Sequence, residues 1–167
     1  MKWILKARGA LLAVLSVLIV GCAPAKISTL PSPPPQVDDV IVTIYRPRSL
    51  AFAIRDATFM INEVEVASIG SGEFTRLNVP AGTYVLQQRW PIDIQLWKKP
   101  IGFDATWAPQ EKVFYRLVNV GIDIGTSYSP GKISWRLAQV SEAEATRELS
   151  SCCAFREPGQ TGFLYKK

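Results

Sequence analysis

The chain has no histidine and only three cysteines among its 167 residues. Without histidine there is no Ser-His or Cys-His nucleophile pair, and the commonest zinc ligand is missing. Cys22 stands alone and Cys152-Cys153 are adjacent, which falls short of the spaced thiolates of a structural metal centre. No long block of like charges occurs either, so neither nucleic acid nor an acidic polymer is indicated as a partner. A glycine-rich phosphate loop is also lacking, because Gly121 and Gly125 are separated by Ile122, Asp123 and Ile124 and lead into no helical pattern. Asp93, Asp104 and Glu111 lie near tryptophans, as a glycosidase pair could, but solvated loop acids are the commoner source of such a pattern. The sequence therefore predicts no enzyme, no cofactor and no metal.

Long hydrophobic runs are scarce, and the clearest one opens the chain. Met1 to Gly9 carry Lys2, Lys6 and Arg8 without an acid, and Ala10 to Val20 are uncharged and apolar. Leu18-Ile19-Val20-Gly21-Cys22 resembles a bacterial lipobox, in which the cysteine becomes a lipid-carrying N-terminus. Residues 1–21 are then a lipoprotein signal peptide cut after Gly21, and Cys22 carries the acyl chains that hold the protein on a membrane. An uncleaved anchor is the alternative, but a span needs roughly 20 apolar residues and Pro24 follows the run closely. Ala23 lacks the aspartate associated with inner-membrane retention, so the resemblance implies the periplasmic face of the outer membrane. Losing the leader leaves 16 Lys and Arg against 14 Asp and Glu, a net charge of +2 where the full chain has +5.

Residues 22–37 are rich in proline, with Pro24, Pro31, Pro33, Pro34 and Pro35 among small and polar residues. Such a composition cannot bury a core and favours extended polyproline geometry, about 3.1 Å per residue. The segment reads as a tether; a proline-rich ligand for a partner is the sharper alternative.

Residues 38–155 read as one domain, large enough for one core and too small for two. Val40 to Tyr45 is β-branched and aromatic, and Pro47 ends it because proline cannot donate to a ladder. Ala57–Ile61 and Val64–Ile69 flank Asn62-Glu63, a hairpin signal. Gly70 to Gly72 turn the chain into Glu73–Val79, and Pro80-Ala81-Gly82 turn it again into Thr83–Gln88, with Gly82 expected at a positive φ. These strands read as an antiparallel meander. A short strand near Ile92–Leu96, a central strand over Lys112–Val120, a turn-rich Gly121–Gly131 and an alternating strand over Ile133–Val140 follow. The whole predicts an all-β fold, an antiparallel β-sandwich of seven to eight strands. One short C-terminal helix closes it, opened by Ser141-Glu142-Ala143-Glu144, a capping-box pattern. Residues 156–167 read as a loosely held tail.

The lipobox, Tyr45-Arg46-Pro47, the Asn62 hairpin, Gly72-Glu73-Phe74, Val79-Pro80-Ala81-Gly82-Thr83-Tyr84, Phe114-Tyr115 and the Ser141-Glu142-Ala143 helix follow one another in this order along the chain. In that order they resemble the bacterial lipoprotein family of the DUF2846 type, and the Pro-x-Gly-Thr-Tyr turn is similar to those of carboxypeptidase-regulatory-like and transthyretin-like sandwiches. The resemblance implies a β-sandwich and an envelope location. It supplies no activity, and because the family commonly has histidine at the position of Tyr84, no role of that histidine carries over.

Two classes of function fit. One is a lipid-tethered structural or interaction protein with an envelope protein as partner. The other is a glycan- or peptidoglycan-binding module that stacks sugar rings on Trp90, Trp97 and Trp107, although large aromatics mostly plug cores and at least two of the three are expected to be buried. Cys152 and Cys153 are a possible disulfide or thiol pair. Because adjacent cysteines close a small strained ring, free thiols are expected first and a bond to a partner second.

Overall fold

The computed structural model describes residues 34–90, 100–126, 129–159 and 164. The leader, Cys22 and most of the tether, the strand expected near Ile92–Leu96, and Trp97 lie outside the described residues. The protein is an all-β sandwich of two sheets with one short C-terminal helix among the described residues. The strands are β1 (Val40–Arg46), β2 (Ala57–Ile61), β3 (Val64–Ile69), β4 (Glu73–Val79), β5 (Gly82–Arg89), β6 (Ile101–Trp107), β7 (Lys112–Thr126), β8 (Ser129–Val140) and β9 (Ala154–Phe155). Helix α1 spans Glu142–Cys152.

Five strands form one sheet in the order β8-β7-β1-β4-β9, and four form the other in the order β3-β2-β5-β6. The first five strands are thus not the expected meander, because the chain crosses between the sheets after β1, β3 and β4. Period-2 alternation marks a buried face without saying which sheet it belongs to. Most pairings are antiparallel, but β1 runs parallel to β7 with Thr43 opposite Phe114, and β9 runs parallel to β4. On β1 the residues Val40, Val42, Ile44 and Arg46 face the other sheet, while Ile41, Thr43 and Tyr45 face outward.

Asn62 and Glu63 form the β2–β3 turn with φ of 49° and 68°, as the hairpin signal predicts. The Asn62 side chain accepts from the Val85 amide at 2.9 Å, which fastens this turn to β5. Gly82 has the expected positive φ, at 159°, on the edge of extended backbone. The position that demands glycine is Gly72, at φ 78°, where a Cβ would come within 2.8 Å of the Arg48 Cγ. The expected turn-rich Gly121–Gly131 is mostly strand, because β7 and β8 continue as a long hairpin beyond a bulge between Asn119 and Gly121. Of the tail, residues 156–159 and Leu164 are described, and three of them touch the sheets. Arg156 donates its amide to Phe74 O at 2.8 Å, Gly159 donates to Val66 O at 2.6 Å, and Leu164 packs on the core.

Ser141 caps α1, its hydroxyl accepting from the Glu144 amide at 3.2 Å, and Glu142 and Glu144 sit at the positive end of the helix dipole. The helix buries Ala145 against Tyr45 and Phe114 on the outer face of the five-stranded sheet, with Phe74, Val140 and Leu149 around them. This second, small core decides what that face leaves open.

Candidate functional site: an arginine-pinned loop and a cleft beside the helix

At the inner end of β1 the alternation delivers a cation into the core. Arg46 is fully buried. Its Nη1 donates to Arg55 O at 2.7 Å, and its Nη2 donates to Ala51 O at 3.0 Å and Phe52 O at 2.8 Å. The guanidinium lies 5.0 Å from the Trp90 ring and 5.2 Å from the Trp135 ring. Carbonyl dipoles and the negative faces of two indoles thus take the place of a counter-ion. Burial lowers its pKa and the Asp56 carboxylate opposes that shift. The three carbonyls all belong to the connection between β1 and β2, so the arginine fixes that loop from beneath. Phe52 fastens it again, at φ 53°, by packing edge-on against Trp90 at 5.0 Å and stacked on Trp135 at 5.8 Å. Held this way, the loop points Leu50 and Ile54 into solvent at 98% and 90% exposure. The sequence reading missed this role and took Arg46-Pro47-Arg48 only as the end of a strand, although the alternation of Val40, Val42, Ile44 and Arg46 was a local signal for the inward face.

On the outer face, strand register sets side chains in rows. Phe74, Tyr45 and Arg116 form one row, Arg76, Thr43 and Phe114 the next, and Asn78, Ile41 and Lys112 the third. The first row is covered by α1. There Tyr45 donates to Glu148 Oε2 at 2.7 Å, and Arg116 contacts Glu148 Oε1 at 2.5 Å and Glu144 Oε1 at 2.7 Å. Burial first, and then the bonded Glu148 carboxylate, push the Tyr45 hydroxyl well above the ordinary tyrosine range. The other rows remain beside the helix and form a cleft of about 550 Å³. Its floor is Ile41, Thr43, Phe74 and Phe114, with Leu149 on the helix side, and its rim carries Arg76, Lys112 and Glu142. Lys112 and Glu142 approach to 3.7 Å with both side chains more than half exposed, so this pair is weak and easily displaced. Arg76 has no ion pair among the described residues. The Thr43 hydroxyl is buried with no hydrogen-bond partner.

Two of the tryptophans expected to bind or plug do the latter. Trp90 and Trp107 are buried at 1% and 2% exposure, and the Trp107 indole donates to the Tyr115 hydroxyl at 2.8 Å. Neither can present a face to a sugar ring, which removes the surface that was to join them to Trp97. Cys152 and Cys153 are joined to each other by a disulfide, in place of the expected free thiols. They sit where α1 ends, and the backbone leaves the helix in extended geometry at Cys153. Asp104 is exposed on β6 and Glu111 accepts from the Ala108 amide at 2.8 Å, while Asp93 lies outside the described residues. Among the described residues no group of histidine, cysteine and carboxylates could hold a metal, and no helix is long and apolar enough to cross a membrane.

No protein-family model, curated protein or solved structure matches this chain. The family resemblance therefore stands on the sequence motifs alone.

Proposed function

We propose that this protein is a lipid-anchored module of the bacterial envelope, held on the periplasmic face of the outer membrane, whose task is to engage another envelope protein. The observation that carries the reading is the order of its parts. A basic then apolar leader ends in Leu18-Ile19-Val20-Gly21-Cys22, a proline-rich tether follows, and the first strand begins only at Val40. Engagement of a protein is supported by the loop after β1, which Arg46 and Phe52 hold in one conformation with Leu50 and Ile54 outward. Ordering a loop before binding lowers the entropy cost of association.

Fractionation of a Cys22→Ala variant tests the anchor. The variant is expected to fold, to lose labelling by radioactive fatty acid, to keep its leader and to leave the outer-membrane fraction. Processing to the same length as wild type, together with unchanged outer-membrane partition, would refute the lipobox. Cross-linking of the native lipoprotein in membranes tests the loop. Leu50→Ser with Ile54→Ser is expected to abolish the cross-linked product without lowering the melting temperature, and an unchanged product would assign the contact elsewhere.

A further inference from the structure

We propose that the cleft beside α1 binds a small carboxylate with an apolar body, its acid group on Arg76 and Thr43 and its body against Phe74, Phe114 and Leu149. This assignment stands apart from the anchor and loop readings, since every residue it uses lies in the folded domain.

The argument starts from register. Thr43 is paired with Arg76 on one side and Phe114 on the other, so cation, hydroxyl and aromatic ring stand in one row across three strands. Neighbouring strands are about 4.8 Å apart, which sets the cationic group and the ring on opposite sides of the hydroxyl at the spacing of a short amphipathic molecule. A buried hydroxyl without a partner carries a desolvation cost that folding alone has no reason to retain, because valine has the same shape without it. Thr43 lines the cleft at 0% exposure, so a ligand reaches its hydroxyl only by parting the side chains that cover it. A carboxylate oxygen above it would accept its proton, while the guanidinium of Arg76 offers a planar fork to the same group.

Charge selects the sign of the ligand. Arg76 and Lys112 outnumber the one acid of the rim, Glu142. Glu144 and Glu148 are engaged with Arg116 and do not line the cleft, which leaves the opening with an excess of positive charge. The body of the ligand is selected by the remaining lining, where Ile41, Phe74, Phe114 and Leu149 offer apolar surface and Thr146 and Ser150 add two hydroxyl residues of α1. A volume of about 550 Å³ falls within the range of small-molecule sites, roughly 300 to 1,000 Å³.

The probe is 3-phenylpropionate, compared with its neutral counterpart 3-phenylpropan-1-ol, by ligand-observed NMR on the full chain. Saturable binding of the acid is expected, with the alcohol at least about tenfold weaker because it forfeits the charge-assisted bonds. Arg76→Gln, an exposed position whose change leaves the core intact, is expected to weaken the acid by about the same factor and to leave the alcohol unaffected. Thr43→Val is expected to weaken the acid severalfold while the melting temperature stays level or rises, a combination that a purely structural threonine cannot give. Equal binding of acid and alcohol, full retention in Arg76→Gln, or absence of saturable binding at millimolar acid would each overturn the assignment.

Discussion

The most consequential single side chain is Arg46, because it is both a core residue and the fastening of a surface loop. Lysine at this position would keep the charge but present a compact ammonium in place of a planar fork, and so could not reach three carbonyls while lying between two indoles. Arg46→Lys is expected to lower stability by at least about 2 kcal/mol in urea denaturation, the scale of losing charged hydrogen bonds from a buried site. Amide exchange at Ala53 and Arg55 should quicken in the same variant, since both donate within the loop, to Leu50 O and Phe52 O. Tyrosines provide the pH dependence. Burial is the first cause that raises the hydroxyls of Tyr45, Tyr84 and Tyr115 above their ordinary value. A folded-state pKa above the unfolded one favours the neutral form, so this stabilisation is intact below about pH 10 and is lost as the pH climbs beyond it. Stability should therefore fall in alkali, and Tyr45→Phe should show a shallower fall from a lower starting point, because it lacks both the bond to Glu148 and one of the titrating groups. An alkaline slope equal to that of wild type would contradict this.

At the scale of elements, α1 is the part most plainly written in the sequence. Ser141-Glu142-Ala143-Glu144 announces a cap, and the hydroxyl of Ser141 indeed takes the Glu144 amide. Ser141→Ala should cost about 1 kcal/mol, measured by thermal unfolding, as the loss of an N-cap typically does. The strands β1 to β5 were legible for a similar local reason, since alternation and turn residues act within a few positions. Partnership was not legible. The parallel contact of β1 with β7 joins residues far apart in sequence, and no pattern within either strand names the other. Strand β6 was missed although Ile101, Phe103, Ala105 and Trp107 alternate, because Pro100 and Gly102 read as punctuation. Gly102 in fact lies opposite Gln87, where a Cβ would stand 2.8 Å from Leu86 O, so glycine marks a close approach and not a break. The cleft was legible only in pieces, as Thr43, Arg76 and Phe114 become neighbours through two different pairings.

For the molecule as a whole, stability rests on the contact between the two sheets and very little on the Cys152–Cys153 bond. A cross-link between adjacent residues closes no loop of consequence and so removes almost no freedom from the unfolded chain. Reduction is expected to change unfolding free energy by less than about 0.5 kcal/mol, and a large drop on adding dithiothreitol would show that the bond carries more than chain entropy. The placement of β1 between β4 and β7 also has a meaning in time. A chain that emerges from export N-terminus first presents β1 and β4 well before Lys112, so the five-stranded sheet waits with an open seam in its middle. Long-range closure of this kind slows folding. Until the last third of the chain arrives, one hydrogen-bonding edge of β1 has no partner, and the protein must pass through its export as a half-built wall.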